Sequence, residues 1–306
     1  MKIKAVVICG PTGIGKTSFA IELARMFNGE IINADSMQIY KYMDIGTAKP
    51  TREELALARH HMVDIVTPDE TFDAGAFAAE SAHIISELHQ QDKLPIIAGG
   101  TGLYIKSLLY GLFRTKPADQ TVLSRLELEL ETSGSHALYD RLAECDPKAA
   151  QKIHPNDGFR IIRALEVFET SGKPISQHQG AHQFRGSDYD TVKIGLQMDR
   201  KKLYQRINTR VDLMMEQGLV QEVERLVDMG YDFDLKPMQS IGYKHAGMVL
   251  KQESTLERAV ELLKRDTRRY AKRQFTWFSH QENCQWLAPD QLEKACGMIK
   301  EFLTSP

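Results

Sequence analysis

Short, unbroken apolar runs alternate with amphipathic stretches over the first hundred residues. Ala5 to Cys9 (AVVIC) has no polar face, which predicts a strand buried on both sides, as in a parallel sheet. From Lys16 to about Phe27 the residues Phe19, Leu23 and Phe27 recur every four positions. That is one face of a helix, and Asn28-Gly29 ends it. EIINA predicts a second strand that stops at Asp35. Thr51 and Glu54 form a capping box for a helix over REELALARH. HMVDIV reads as a further strand, Asp73 to Gln90 as a helix, and LPIIA as another buried strand. Gly99-Gly100-Thr101-Gly102 and a short helix follow. The alternation predicts an α/β fold, a doubly wound parallel sheet with helices on both faces.

After Gly111 the pattern changes. From about Phe113 to Tyr189 only helical periodicity is present, punctuated by Ser135, Asp146-Pro147, His154-Pro155-Asn156-Asp157 and Gly172-Lys173-Pro174. Gly180 to Asp190 is polar and reads as a linker. TVKIGLQM then predicts a strand, with Asp199 placed to cap the helix after it. The last long helix runs from about Thr255 to Ser279. The expected organisation is an α/β core of residues 1–112 and 190–306, interrupted by an all-helical insertion domain of residues 113–189.

Composition narrows the partners more than the fold. The chain has 306 residues, 42% hydrophobic and 26% charged, as in a soluble globular protein. A net charge of −2 means that nucleic-acid binding must come from local basic patches. Four cysteines lie far apart with no C-x-x-C pair, which argues against a zinc site or disulfide framework and fits a reducing cytoplasm. The N-terminus has no cleavable signal pattern, and no apolar run approaches the roughly 20 residues that span a bilayer. The expectation is a cytoplasmic protein, monomeric in the absence of any interface signal.

Gly10-Pro11-Thr12-Gly13-Ile14-Gly15-Lys16-Thr17 fits the phosphate-loop pattern G-x-x-x-x-G-K-[ST] and stands in its expected context, after a buried strand and at a helix start. Backbone N–H groups of such a loop wrap phosphate oxygens. Lys16 would neutralise their charge and the Thr17 hydroxyl would sit on Mg²⁺. A nucleotide hydrolase usually has an acid at the end of a later strand to help hold the metal. Here LPIIA ends in glycines, and Asp64 falls inside HMVDIV. The glycines either admit something bulky close to the backbone or make a plain tight turn. Asp35 ends the second strand, at the edge where α/β ligands bind. It would hold Mg²⁺, accept a proton, or cap the next turn.

Two arginine pairs and one helix carry the remaining charge pattern. Arg206 and Arg210 share a helix face, which suits a diphosphate or pairs with Asp212 or Glu216. On the last long helix Lys264, Arg268 and Lys272 form one row and Arg265, Arg269 and Arg273 the next. Together they cover about half the circumference. Val260, Leu263, Tyr270 and Ala271 lie on the other half. A solvated face normally mixes signs, so this arc points to phosphate contacts. Arg160 and Arg163 offer a second patch.

GPTGIGKT, INADSMQIYKYMDIGTAKP, IIAGGTGLY, HPNDGFRIIRALEVFETSGK, QSIGYKH and RRYAKRQFTWF together resemble the bacterial type of the tRNA dimethylallyltransferase (tRNA isopentenyltransferase) family, in the family's order. The resemblance implies that the loop holds the diphosphate of dimethylallyl diphosphate, not of ATP. The acceptor would be N6 of the adenosine next to the anticodon. It implies that Asp35 is the general base and that Thr101 hydrogen-bonds near the same base. Lys16, Arg210 and Mg²⁺ on Thr17 would stabilise leaving diphosphate, with Arg210 favoured over Arg206 by the match to RINTRV. Gly10, Thr12, Gly13, Gly15, Ser18 and Arg206 complete the expected diphosphate site. Ser36, Gln38, Arg160, Arg163, Gly242, Tyr243, Lys244, Arg268 and Lys272 are the expected tRNA contacts, the helical insert and the basic helix clamping the anticodon stem-loop. A phosphate-loop kinase of a small metabolite, a prenyltransferase of free adenine nucleotides and a non-catalytic RNA-binding protein are the competing readings. Residues 180–190 match nothing in the family.

Overall fold

Parallel strands whose two faces are both apolar need helices on both sides, and the computed structural model has that arrangement. It describes residues 2–111, 119–182, 188–281 and 283–305. The elements in order are β1 (Ile3–Cys9), α1 (Lys16–Met26), β2 (Gly29–Ala34), α2 (Arg52–Leu57), β3 (His60–His61), α3 (Ala74–Gln90), β4 (Leu94–Gly99) and α4 (Gly102–Tyr110). The helices α5 (Gln120–Cys145), α6 (Pro147–Ala150), α7 (Gly158–Ser171) and α8 (Ile175–His182) follow. The chain closes with β5 (Tyr189–Leu196), α9 (Arg200–Glu216), α10 (Leu219–Asp228), α11 (Tyr243–Leu250), α12 (Leu256–Ser279), β6 (Cys284–Leu287) and α13 (Leu292–Thr304).

Among the described residues the strands form one parallel sheet in the order β3-β2-β4-β1-β5-β6. Val6, Ile8, Ile31, Ile96 and Ile194 pack on one face against Phe19 and Leu23 of α1, Ile207 of α9 and Ile299 of α13. Their neighbours Val7, Ile32 and Ile97 are equally buried, pointing the other way. Register decides where chemistry can happen. Cys9 and Ala34 both pair with Gly99, so the ends of β1, β2 and β4 are level. The phosphate loop, Asp35 and Gly100 therefore leave the sheet side by side.

By compactness the chain divides into Met1–Leu109 with Ser187–Pro306, and Tyr110–Gly186. The second unit is helical, cored by Leu126, Leu138, Leu142, Ile161 and Leu165. Asp146 caps α6 and Asp157 caps α7, and Gly172 ends α7 in the left-handed region.

Two local readings need correction. HMVDIV is not a strand: only His61 belongs to β3, because Met62 (φ 64°) and Asp64 (φ 56°) turn left-handed and break the extended run. Gly180 to His182 continue α8, and Tyr189 and Asp190 already belong to β5, so the linker reading fails at both ends. Its middle, residues 183–187, and the start of the predicted insert at 113 lie outside the described residues.

Candidate functional site

β1 delivers the chain into the phosphate loop, and α1 begins at Lys16 with Gly15 (φ 104°) as its N-cap. No side chain caps that helix, so its first amides remain directed at the loop's concave side. The Lys16 ammonium donates to the Pro11 carbonyl at 3.0 Å. Burial brings it down to about 8, with Asp35 pulling the other way and Arg210 adding to the fall. Gly13, Gly15, Lys16, Thr17 and Ser18 line a cavity of about 1020 Å³. Gly10 does not line it. It lies behind the loop, where a Cβ would come within 2.8 Å of the Leu196 carbonyl.

Asp35 faces the same cavity from the end of β2. Its Oδ1 accepts the Met37 amide at 2.9 Å, a local turn that aims the carboxylate while leaving Oδ2 for other partners. Thr101 stands beside it: its Oγ1 accepts the Ser36 amide at 3.0 Å. Arg206 and Arg210 of α9 also line the cavity. Burial lowers the Arg210 guanidinium's pKa, and the charge of Arg206 adds to the effect. Asp212 does not neutralise them, because it pairs with Lys264 at 2.5 Å. Lys16, Arg206 and Arg210 thus face one cavity, with Glu54 as an acid acting on Arg210, an arrangement that suits a polyanion.

The opposite wall is the loop from Asp44 to Thr51. Glu222 of α10 holds it, accepting the amides of Asp44, Ile45 and Gly46 at 2.9–3.2 Å. Lys49 joins Asp44 (2.7 Å) to Asp64 (2.5 Å). Asp64 therefore lines the cavity from a loop, tied to a lysine.

The glycines after β4 do admit something bulky, and it is the protein itself. A Cβ on Gly100 would lie 2.2 Å from Gln274 Nε2, and one on Gly102 would lie 2.0 Å from Trp277 Nε1. Both partners come from α12. Tyr270 comes from the same helix, and burial and then Asp35 push its phenol up.

Several expected RNA contacts are engaged elsewhere. Tyr243 has no exposed surface and donates to Glu222 at 2.6 Å, so it is a core residue. Gly242 is the turn before α11 that lays Tyr243 against Gly46. Gln38 is buried with both amide hydrogens on the Thr47 and Ala48 carbonyls. Thr12 lines the cavity, but its amide is turned to Gln274. In the helical unit Arg163 is tied to the buried carboxylate of Glu166, and Arg160 pairs with Asp157 at 3.3 Å. On α12 Arg268 donates to Asn208 at 2.6 Å and lies over Tyr204, and Lys264 also faces α9. Arg265, Arg269, Lys272 and Arg273 remain exposed. Lys244 is 40% exposed and lies 3.9 Å from Asp266. The basic arc is therefore narrower than the helical wheel implies, and Glu222, Tyr270 and Gln274 are site residues that the sequence did not single out.

Among the described residues no cluster of three His, Cys, Asp or Glu side chains could cage a metal ion. Thr17 and Asp35 share the cavity. The Thr17 hydroxyl fits a hard cation that takes its other ligands from phosphate oxygens and water, as Mg²⁺ does, and leaves Asp35 for proton chemistry.

A profile of the IPP transferase family matches residues 38–281. The tRNA dimethylallyltransferase of Desulfosudis oleivorans is 54% identical over 301 residues, covering 98% of this chain and 96% of the relative. That of Acetivibrio thermocellus is 52% identical, covering 97% and 95%. The crystal structure of the tRNA isopentenylpyrophosphate transferase from Bacillus halodurans superposes with a TM-score of 0.74 at 41% identity, covering 99% of this chain and 97% of that one. A eukaryotic dimethylallyltransferase acting on tRNA superposes with a TM-score of 0.79 at 32% identity, covering 94% and 74%. With this sequence match, this fold and this phosphate cavity, the chain belongs to the IPP transferase family.

Proposed function

We propose that the protein transfers a dimethylallyl group from dimethylallyl diphosphate to N6 of the adenosine adjacent to the anticodon of tRNA, releasing diphosphate. The observation that carries this reading is the cavity that Asp35, Lys16, Arg206 and Arg210 line together, with Asp35 level with the phosphate loop at the strand ends and Thr101 beside it through Ser36. The N6 lone pair is delocalised into the adenine ring, so both ends of the transfer need help. Asp35 accepts the N6 proton, its free Oδ2 being the acceptor. Thr101, held by Ser36, orients the base. Lys16, Arg210 and the amides at the start of α1 take up the charge that develops on the leaving diphosphate. Thr17 would hold Mg²⁺ together with diphosphate oxygens; when bound, it neutralises further leaving-group charge. β4 ends without a carboxylate to support hydrolysis of the phosphates, as expected for a leaving group that is displaced whole.

The target adenosine would leave its stack to enter the cavity. The exposed residues Arg265, Arg269, Lys272 and Arg273 bind the anticodon stem-loop. In this reading the protein acts as a monomer in the cytoplasm. No described helix is long and apolar enough to cross a membrane.

The test is a transfer assay with radiolabelled dimethylallyl diphosphate and Mg²⁺. Acceptors are unmodified tRNA, an anticodon stem-loop, AMP, and tRNA with the target adenosine replaced. Label should enter tRNA and vanish with the replacement. Label in AMP would make this a nucleotide prenyltransferase, and ATP-dependent phosphorylation of a metabolite would make it a kinase.

A further inference from the structure

Gln274 is a polar residue on the inward face of α12, only 5% exposed, and its side-chain amide is committed to two loops at once. The Thr12 amide donates to Oε1 at 2.8 Å, and Nε2 donates to the Gly100 carbonyl at 2.9 Å. One partner is a donor and the other an acceptor, so the amide fits in a single orientation; turned over, it would oppose like to like at both ends. A Cβ at residue 100 would lie 2.2 Å from Nε2, so a larger residue there would displace the amide.

The sheet alone does not set the distance between these loops. β1 and β4 are paired up to Cys9 and Gly99, and beyond that pair the strand ladder stops. Past it, the loop that carries Thr12 and the loop that carries Thr101 are joined by a side chain from a third element. We propose that Gln274 is a positioning residue for the transfer step. It fixes the spacing between the diphosphate side and the Thr101–Asp35 side, on which the attacking nitrogen sits in the reading above, and the proposal rests on that reading. An in-line displacement is sensitive to that spacing, since a misplacement of about 1 Å lowers a rate by about 10²-fold. Neither substrate needs Gln274 for its own affinity.

The experiment is single-turnover prenyl transfer with enzyme in excess, radiolabelled dimethylallyl diphosphate and an anticodon stem-loop RNA. Equilibrium binding of each substrate is measured separately, the donor with a stem-loop that lacks the target amino group. Gln274→Leu keeps the volume and loses both bonds. Gln274→Glu keeps the shape and the Thr12 bond but repels the Gly100 carbonyl, and it provides the result should the leucine variant not fold. In both, the single-turnover rate constant should fall by about 10²-fold, with both dissociation constants within about threefold of wild type. With saturating enzyme in excess, loss of part of the folded protein would leave the rate constant unchanged. Wild-type rate constants in the variants, or a loss accounted for by weaker donor binding, would overturn the proposal. Wild-type enzyme that transfers nothing to RNA would remove the functional reading itself, and the proposal with it.

Discussion

Tyr243 donates its hydroxyl to Glu222 Oε1 at 2.6 Å, with both side chains in the core. The same carboxylate gathers the amides of Asp44, Ile45 and Gly46, so one buried anion holds the far wall of the cavity. Burial and the neighbouring charge push the phenol far up, and it stays a donor across the working range. Glu222→Gln sets an NH₂ among donors and should cost about 2–4 kcal/mol. Tyr243→Phe removes one bond of several and should cost about 1 kcal/mol. Urea unfolding of both variants checks the difference, and equal costs would contradict it.

Asp35 is the group with the most direct chemical task. Replacing it with Asn or Ala should lower transfer at saturating substrates by about 10²-fold or more, while donor and RNA binding persist. Steady-state kinetics together with direct binding measurements separate the two. Transfer near wild type would end the general-base assignment.

Lys16 carries a charge only below about pH 8 in the free protein. Deprotonation weakens the hold on diphosphate, so kcat/KM for the donor should fall tenfold per pH unit above that point. Bound diphosphate favours the ammonium, so the corresponding limb of kcat lies at higher pH. A kcat/KM profile flat to pH 10 would contradict the assignment. Stability moves the other way. The folded protein holds this proton less tightly than the unfolded chain, whose lysine sits near 10.5, so the Lys16 contribution to stability rises with pH between about 8 and 10.5.

The narrowed basic face of α12 gives a contrast within one helix. Arg269→Glu with Lys272→Glu should weaken stem-loop binding and flatten its salt dependence, leaving donor binding intact. Arg268→Glu removes the bond to Asn208 and the contact with Tyr204, so it should lower the unfolding midpoint as well. Filter binding across a salt series and thermal melts would resolve the two patterns. Identical behaviour of all three positions would show that the helix acts as an undivided charge.

The legible parts of the sequence were those in which short-range rules and the tertiary outcome agree. The buried strands and the phosphate loop announce themselves because AVVIC, EIINA and LPIIA are short apolar runs closed by polar or glycine residues. The caps Thr51, Asp157 and Asp199 act as such, because a cap is a local bond. HMVDIV misled because its composition is strand-like while two of its residues adopt left-handed backbone. Tyr243 sits among polar neighbours in QSIGYKH, and nothing local reveals that its ring fills a core. Gln274 follows Lys272 and Arg273, and no local pattern singles it out. Its signal was positional: it shares the inward stripe of Leu263, Ala271 and Phe278, where a lone amide needs partners brought by another element.

The order of the strands has a consequence for synthesis. β1 lies in mid-sheet, with β4 on one side and β5 on the other, and its register sets Ile3 against Tyr189. On the ribosome the first strand to emerge therefore keeps an open edge until the entire helical unit and β5 have followed. Gly10 gains its backing from the Leu196 carbonyl only then. A nascent chain arrested before residue 196 should present an unfinished phosphate loop and an aggregation-prone central strand. Codon changes that slow translation across the helical unit would prolong that exposure without altering a single residue of the finished enzyme.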